Sequence, residues 1–141
     1  VPDRGGGALR VDETVGLGAN AYGTPTGRLL LAHATPDEVE LFVAENGLPG
    51  AAWPKAPDRG RLERALAAIR QHRGSVVVAG PEIAAAACPV FEGGRAAAAL
   101  GVYLPAFRFR GPTRTQVMDG LKAAADRIAM DIERQRKGTS S

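Results

Sequence analysis

Two apolar runs, residues 84–91 and 96–104, are joined by Glu92-Gly93-Gly94-Arg95, and no other feature of the chain constrains its fold as strongly. Paired glycines tolerate the positive φ angles that a two-residue turn demands, so the runs read as an antiparallel hairpin. Both are rich in alanine, which buries little area per residue. The hairpin face should therefore be shallow, either letting a helix pack closely or leaving volume beside it for a ligand. A third short apolar stretch, residues 75–79, precedes the hairpin. Far upstream, Leu9, Val11, Val15 and Leu17 alternate with polar or glycine positions, a period-two pattern compatible with one or two short strands.

Between these strand signals lie helix signals. Thr24-Pro25-Thr26-Gly27 puts a hydroxyl at the cap and proline in the first turn, followed by Arg28 and Leu29-Leu30-Leu31. Thr35-Pro36-Asp37-Glu38 repeats the start with two acids at the positive end of the dipole, and Asn46-Gly47 supplies a left-handed stop. Val39, Phe42 and Val43 form the apolar face of this second helix. Residues 47–58, with Pro49, Pro54 and Pro57 around Trp53, read as a long loop whose tryptophan packs over the core or lines a pocket. Asp58 opens a third helix with Leu62, Ala65, Leu66 and Ile69 on one face, ended by Gly74. Residues 113–136 place Val117, Leu121, Ala124, Ala125, Ile128 and Ile132 three or four apart, predicting one long amphipathic helix weakened at Gly120. Helices flanking an antiparallel sheet make an α+β layer fold. Residues 1–9, with their Gly5-Gly6-Gly7 run, read as a flexible N-terminal segment, 10–136 as the domain and 137–141 as a tail.

The chain of 141 residues is 45% hydrophobic, enough for a modest core. Its 18 basic residues stand against 15 acidic ones, and a net charge of +3 is too thin for a duplex-binding face. Arg108, Arg110 and Arg114 form the one visible basic cluster, which brackets a loop and reads as solvated surface. The longest apolar run is far too short for a membrane span, and the opening residues lack a signal pattern, so a cytoplasmic location without membrane contact is expected.

Chemistry-bearing residues are sparse. Cys88, the single cysteine, has no partner in the chain for a disulfide, and it sits in an apolar strand, where a small buried thiol is the ordinary occupant. With only His33 and His72 available to activate it, no nucleophilic site and no metal-ligand pair is expected, nor any cofactor. Phosphate-binding glycine loops are absent. Polar and aromatic groups that could line a small-molecule pocket gather at Asn20, Tyr22 and Thr24, at Glu82, and at Tyr103.

The segment from Tyr22-Gly23-Thr24-Pro25-Thr26-Gly27-Arg28 through Ala32, then Ala87-Cys88-Pro89-Val90 with Gly94, Ala98-Ala99-Leu100-Gly101-Val102, and Ala123-Ala124-Ala125-Asp126-Arg127-Ile128, resembles the effector-binding domain of IclR-type bacterial transcription regulators. The resemblance runs from about Arg10 to Ile132. It implies a GAF/profilin-like antiparallel sheet with helices on its faces, and a non-enzymatic module that senses a small organic effector, aromatic or an organic acid. It further implies a homodimer or homotetramer, with DNA contacted only through a winged helix-turn-helix domain that is N-terminal to this region in the family and absent here, as are the family's earliest strands.

Carried over position by position, the resemblance puts Ala85, Gly101 and Tyr103 where many members hold a ligand carboxylate with a cysteine and two serines. Ala and Gly offer no side-chain donor. The expected ligand-binding set is therefore Tyr22, Gly23, Thr24 and Gly27 at the turn, with Ala85, Ala87, Gly101 and Tyr103 on the hairpin. Tyr103 would donate the orienting hydrogen bond, and the N–H groups of Gly27 and Arg28 would favour a negative end. The alternative reading is a ligand-free dimerisation or interaction module built on the alanine-rich strands and the last helix.

Overall fold

The computed structural model describes residues 10–14, 20–72 and 76–139, with side-chain surroundings for 20–72 and 76–138. The hairpin is the centre of the sheet. Strand β3 (Ile83–Glu92) pairs antiparallel with β4 (Arg95–Pro105), and Gly93 and Gly94 take φ of 60° and 83° at the turn. β2 (Val76–Ala79) joins the outer edge of β3, and β1 (Arg10–Thr14) the outer edge of β4, giving the antiparallel order β1-β4-β3-β2. A register shift lies between Val90 and Phe91.

The first three helices begin where their caps predict. Helix α1 (Pro25–His33) starts on Thr24, whose Oγ1 accepts the Gly27 N–H at 3.0 Å. Helix α2 (Pro36–Asn46) starts on a full capping box, in which the Glu38 N–H donates to Thr35 Oγ1 and the Thr35 N–H to Glu38 Oε1. Gly47, at φ 80°, ends it. Helix α3 (Arg59–His72) has Asp58 Oδ1 accepting the Arg61 N–H at its start. Helix α4 (Gly111–Thr139) begins two residues before Thr113 and continues through Lys137 and Gly138. The tail expected from residue 137 is thus helical to Thr139, because a lone glycine weakens a helix without breaking it. The glycine run of residues 1–9, Val15, Leu17 and the stop at Gly74 lie outside the described residues.

The strand alternation splits the core in two. Ala84, Ala86, Cys88 and Val90 of β3 join Ala98, Leu100, Val102 and Leu104 of β4 under Leu121 and Ala125 of α4. On the other face Ala87 and Ala99 pack against Leu29 and Leu30 of α1. Methyl side chains let α1 sit close to the sheet, the first of the two outcomes a shallow face allows. A further cluster holds α1, α2 and α3 together through Leu31, Phe42, Trp53, Leu62 and Leu66. Trp53 is buried there, so it packs rather than projects.

Candidate functional site

The site expected from sequence has two halves: the turn that starts α1 and the α1-facing side of β3 and β4. Ala85 pairs with Tyr103 and Ala87 with Gly101, so the four strand residues form one contiguous block on that face. Exposure rises along the block. Ala85, Ala87 and Gly101 are buried, while Tyr103 is partly exposed, as is Pro105 beyond it. Two contacts fix the direction of α1 over this surface. His33 at its C-terminal end meets Phe91 edge-on, ring centroids 5.9 Å apart, near the hairpin turn; Leu29 and Leu30 lie over Ala87 and Ala99, farther from that turn. The helix start is therefore directed toward the end of the sheet where Ala85 faces Tyr103.

At the turn, the polar groups already have partners within the protein. Residues Ala21–Gly23 form a single 3-10 turn, closed by the Gly23 N–H donating to Asn20 O at 3.0 Å. The Tyr22 hydroxyl donates to Gly47 O at 2.7 Å, and its ring meets Phe42 edge-on at 5.1 Å. Burial raises the Tyr22 pKa, an effect the nearby Arg59 opposes. Gly27 is pressed against Ala21: a Cβ there would lie 2.3 Å from Ala21 Cα. The two N–H groups expected to meet a negative ligand end are engaged in starting the helix, Gly27 N–H on Thr24 Oγ1 and Arg28 N–H on Thr24 O. Gly23 is exposed and Thr24 partly so, which leaves them as the surface of the turn.

Arg28 belongs to this constellation although the sequence marked it only as a cation beside the turn. Its Nε donates to Tyr22 O at 2.7 Å, its Nη2 to Ala52 O at 3.4 Å, and its guanidinium carbon stands 4.4 Å from the centre of the Trp53 ring. Burial pushes its pKa down, the response of a cation held away from bulk water. One side chain thus ties the turn to the loop 47–58.

Two further concavities lie elsewhere. A cavity of about 300 Å³ opens on the other face of the sheet, between Leu100 and Val102 of β4 and Val117, Gly120, Leu121 and Ala124 of α4. A groove of about 670 Å³ runs between α2 and α3, floored by Val39 and Leu66 and edged by Glu40, Arg59, Glu63 and Arg70. Neither includes any of the eight expected residues. The cysteine and the histidine of α1 lie on opposite faces of the sheet. Cys88 is buried on the α4 side of the sheet, whereas His33 lies on α1 across it. Among the described residues no group of three His, Cys, Asp or Glu could hold a metal ion, and no helix is long and apolar enough to cross a membrane.

A family model described as bacterial transcriptional regulator IclR C-terminal matches residues 5–130. No curated protein matches the chain significantly. Among solved structures, it is similar to the inducer-binding domain of the PobR transcription factor from Acinetobacter, a double mutant in complex with 3-hydroxybenzoic acid. Identity is 24%, over 77% of this chain and 65% of that one, with a TM-score of 0.62. An IclR homologue from a Microbacterium species is 27% identical over 85% of this chain and 48% of its own, TM-score 0.62. The C-terminal domain of the E. coli regulator KdgR is 24% identical over 78% and 69%, TM-score 0.62. The two likenesses at 24% establish the fold; the chain spans 65% of the first structure and 48% of the second.

Proposed function

The chain belongs to the IclR C-terminal family of bacterial transcriptional regulators, and from that premise we propose that it senses a small organic effector, aromatic or an organic acid, on the α1-facing side of the sheet. The observation that carries this reading is the direction of α1. Its start, with Gly23 and Thr24 at the surface, is aimed at the end of the sheet where Ala85, Gly101 and Tyr103 present small side chains beside one phenol. Beside the partly exposed Tyr103, Ala85 and Gly101 add little bulk, which suits a largely apolar ligand with one polar end.

The eight residues divide into two tasks. Tyr22, Gly27 and Ala87 build the walls by packing, and Gly23, Thr24, Ala85, Gly101 and Tyr103 face the guest. Arg28 adds the cation. A carboxylate ligand would meet it beside the Tyr22 carbonyl, in place of the side-chain donors that Ala85 and Gly101 lack. Effector binding would then bias oligomerisation and DNA binding, the latter through the winged helix-turn-helix domain that such regulators carry N-terminal to this region, in the cytoplasm.

A melting-temperature screen against aromatic and aliphatic acids, with 3-hydroxybenzoate among them, tests the reading, because a ligand specific to the native state raises its stability. At least one compound should raise the melting temperature in the wild type and do so less in Tyr103→Phe. A panel that moves nothing overturns the sensor reading and favours the ligand-free interaction module.

A further inference from the structure

The sheet face that carries Tyr103 does not end there; it continues outward over apolar side chains. Residues two apart on a strand share a face, so Ala87, Ala85 and Ile83 of β3 all lie on the side that carries α1. Their exposures are 0%, 6% and 58%. On β4 the same face runs through Gly101, Tyr103 and Pro105, because Ala87 pairs with Gly101, Ala85 with Tyr103 and Ile83 with Pro105. Val78 of β2 extends the middle row as the partner of Ala85. Like Tyr103 and Pro105, it is partly exposed.

The inner end of this face is closed. Leu29 and Leu30 of α1 lie over Ala87 and Ala99, with Val76 of β2 packed beside them. A molecule whose polar end meets Tyr103 therefore has no room to extend inward. Its remaining length must run outward, over Val78, Ile83 and Pro105, none of which has a polar side chain.

Scattered apolar residues on a surface need no explanation, but a contiguous apolar patch beside a proposed site does. Ile83 is its most exposed member, and its backbone is held from both sides. The Gly80 N–H donates to Ile83 O at 2.9 Å, and the Ala106 N–H donates to Glu82 O at 2.8 Å, which ties the start of β3 to the end of β4. β-Branching restricts χ1 as well. Ile83 is thus a fixed contact presented on a strand, the preorganised form that costs little to bind against.

We infer that Val78, Ile83 and Pro105 form an outer apolar shelf of the effector site, and that Ile83 sets the length of effector the site prefers. The inference rests on the effector reading given above and narrows it to one chemical class, an aromatic acid bearing an apolar substituent. The polar end meets the Tyr103 phenol and the Arg28 cation, the ring lies beside Ala85, and the substituent runs outward onto Ile83 and Pro105. The row of Ile83 and Pro105 stands about 7 Å beyond the row of Ala85 and Tyr103. A bare ring acid leaves that shelf uncovered, whereas a chain of several methylenes covers it.

Isothermal titration calorimetry with benzoate and its para-alkyl homologues from methyl to pentyl, on the 141-residue chain and its Ile83→Thr variant, tests this. In the wild type each added methylene should tighten binding about two- to fourfold, the gain expected when a methylene is partly or wholly removed from water. Threonine keeps the β-branched shape that suits a strand and removes the apolar contact. Ile83→Thr should leave benzoate binding unchanged and flatten the gain along the series, so that the pentyl compound binds about tenfold more weakly than to the wild type. Ile83→Gln takes its place if the threonine variant melts at a markedly lower temperature without ligand. Binding that does not tighten with chain length in the wild type, or that tightens equally in the variant, overturns the shelf and leaves the sensor reading standing. If no member of the series binds the wild type, the effector reading itself fails and the shelf falls with it.

Discussion

Gly27 and Ala21 are in such close contact that the space a Cβ on Gly27 would need is taken by the Ala21 backbone: Cα at 2.3 Å, carbonyl oxygen at 2.5 Å. Backbone cannot rotate out of the way as a long side chain can. Gly27→Ala must therefore push α1 away from the 3-10 turn at residues 21–23, and overpacking of this kind costs about 1–3 kcal/mol. Urea unfolding should show a loss in that range. A loss below ~0.5 kcal/mol would mean that the turn yields freely and does not hold the helix start in place.

The Tyr22 hydroxyl anchors the end of α2 through Gly47 O, 25 residues along the chain. Tyr22→Phe keeps the ring against Phe42 and should lose about 1 kcal/mol, the net worth of a partly buried hydrogen bond. The variant also has an alkaline signature. Burial raises the folded-state pKa of Tyr22 above its ordinary 10.0, so the stabilisation is complete below that value and is lost as pH rises through the folded-state pKa. In Tyr22→Phe the part of the alkaline decline due to this phenol should vanish. If instead Tyr22→Phe abolishes an effector's thermal shift while leaving stability unchanged, the hydroxyl serves the ligand and not α2.

These two residues show where the sequence was readable and where it was not. Thr24, Thr35, Gly47, Gly93 and Gly94 act on neighbours within a few positions, and each element began or ended where their chemistry required. The pairing of β3 with β4 places Ala84, Ala86, Cys88 and Val90 on one face and Ala85 and Ala87 with Gly101 and Tyr103 on the other, whereas the uniformly apolar run gave no alternation from which to read this and the last four were singled out by the family resemblance. Gly27 looked like a ligand glycine because its real neighbour, Ala21, is brought close only by a turn whose path no local rule specifies. Tyr22 read as a pocket-lining group, and its bond to Gly47 O could not be seen because the acceptor is 25 residues away in sequence. The bond from Arg28 to the Trp53 loop was hidden for the same reason, its acceptor Ala52 O lying 24 residues along the chain.

Arg28 supplies the most direct optical test of the turn, since Trp53 is the sole tryptophan. Arg28→Met removes two hydrogen bonds and the cation over the indole, and should destabilise the fold by roughly 1–3 kcal/mol. Trp53 should also become more accessible to acrylamide quenching in the native state. Arg28→Lys should recover less than half of the loss, because an ammonium cannot reach Tyr22 O and Ala52 O from one planar group while lying over a ring. Full recovery by lysine would show that charge alone matters at this position.

Glu38 links α2 to acid stability. Its carboxylate accepts the Thr35 N–H, and that bond, aided by the Thr35 hydroxyl, holds its pKa below the ordinary 4.5. A depressed carboxylate pKa contributes stability above the unfolded value that is lost as pH falls through the folded one. Glu38→Gln keeps a hydrogen-bond acceptor without the charge. Its stability should be lower than wild type at neutral pH, and the gap should close as pH falls below 4.5. A gap that stays constant with pH would place the effect in the hydrogen bond and not in the ionised group.

Gly120 is a mid-helix glycine with no backbone reason to be glycine: it is exposed within α4, and a Cβ added to it would meet nothing within 4 Å. Propensity alone then favours Gly120→Ala by about 0.5–1 kcal/mol, through the lower entropy of the unfolded chain and the better helix former. It also lines the 300 Å³ cavity with Leu100, Val102, Val117, Leu121 and Ala124, so a longer side chain would begin to fill that space. The pair Gly120→Ala and Gly120→Leu separates the two roles. If the cavity is only a packing gap beside a diverging helix, alanine should raise the melting temperature and leucine should hold or extend the gain while leaving any effector-induced shift intact. If leucine preserves the fold but abolishes that shift, the ligand lies on the α4 face of the sheet, and the assignment to Tyr103 and its neighbours is wrong.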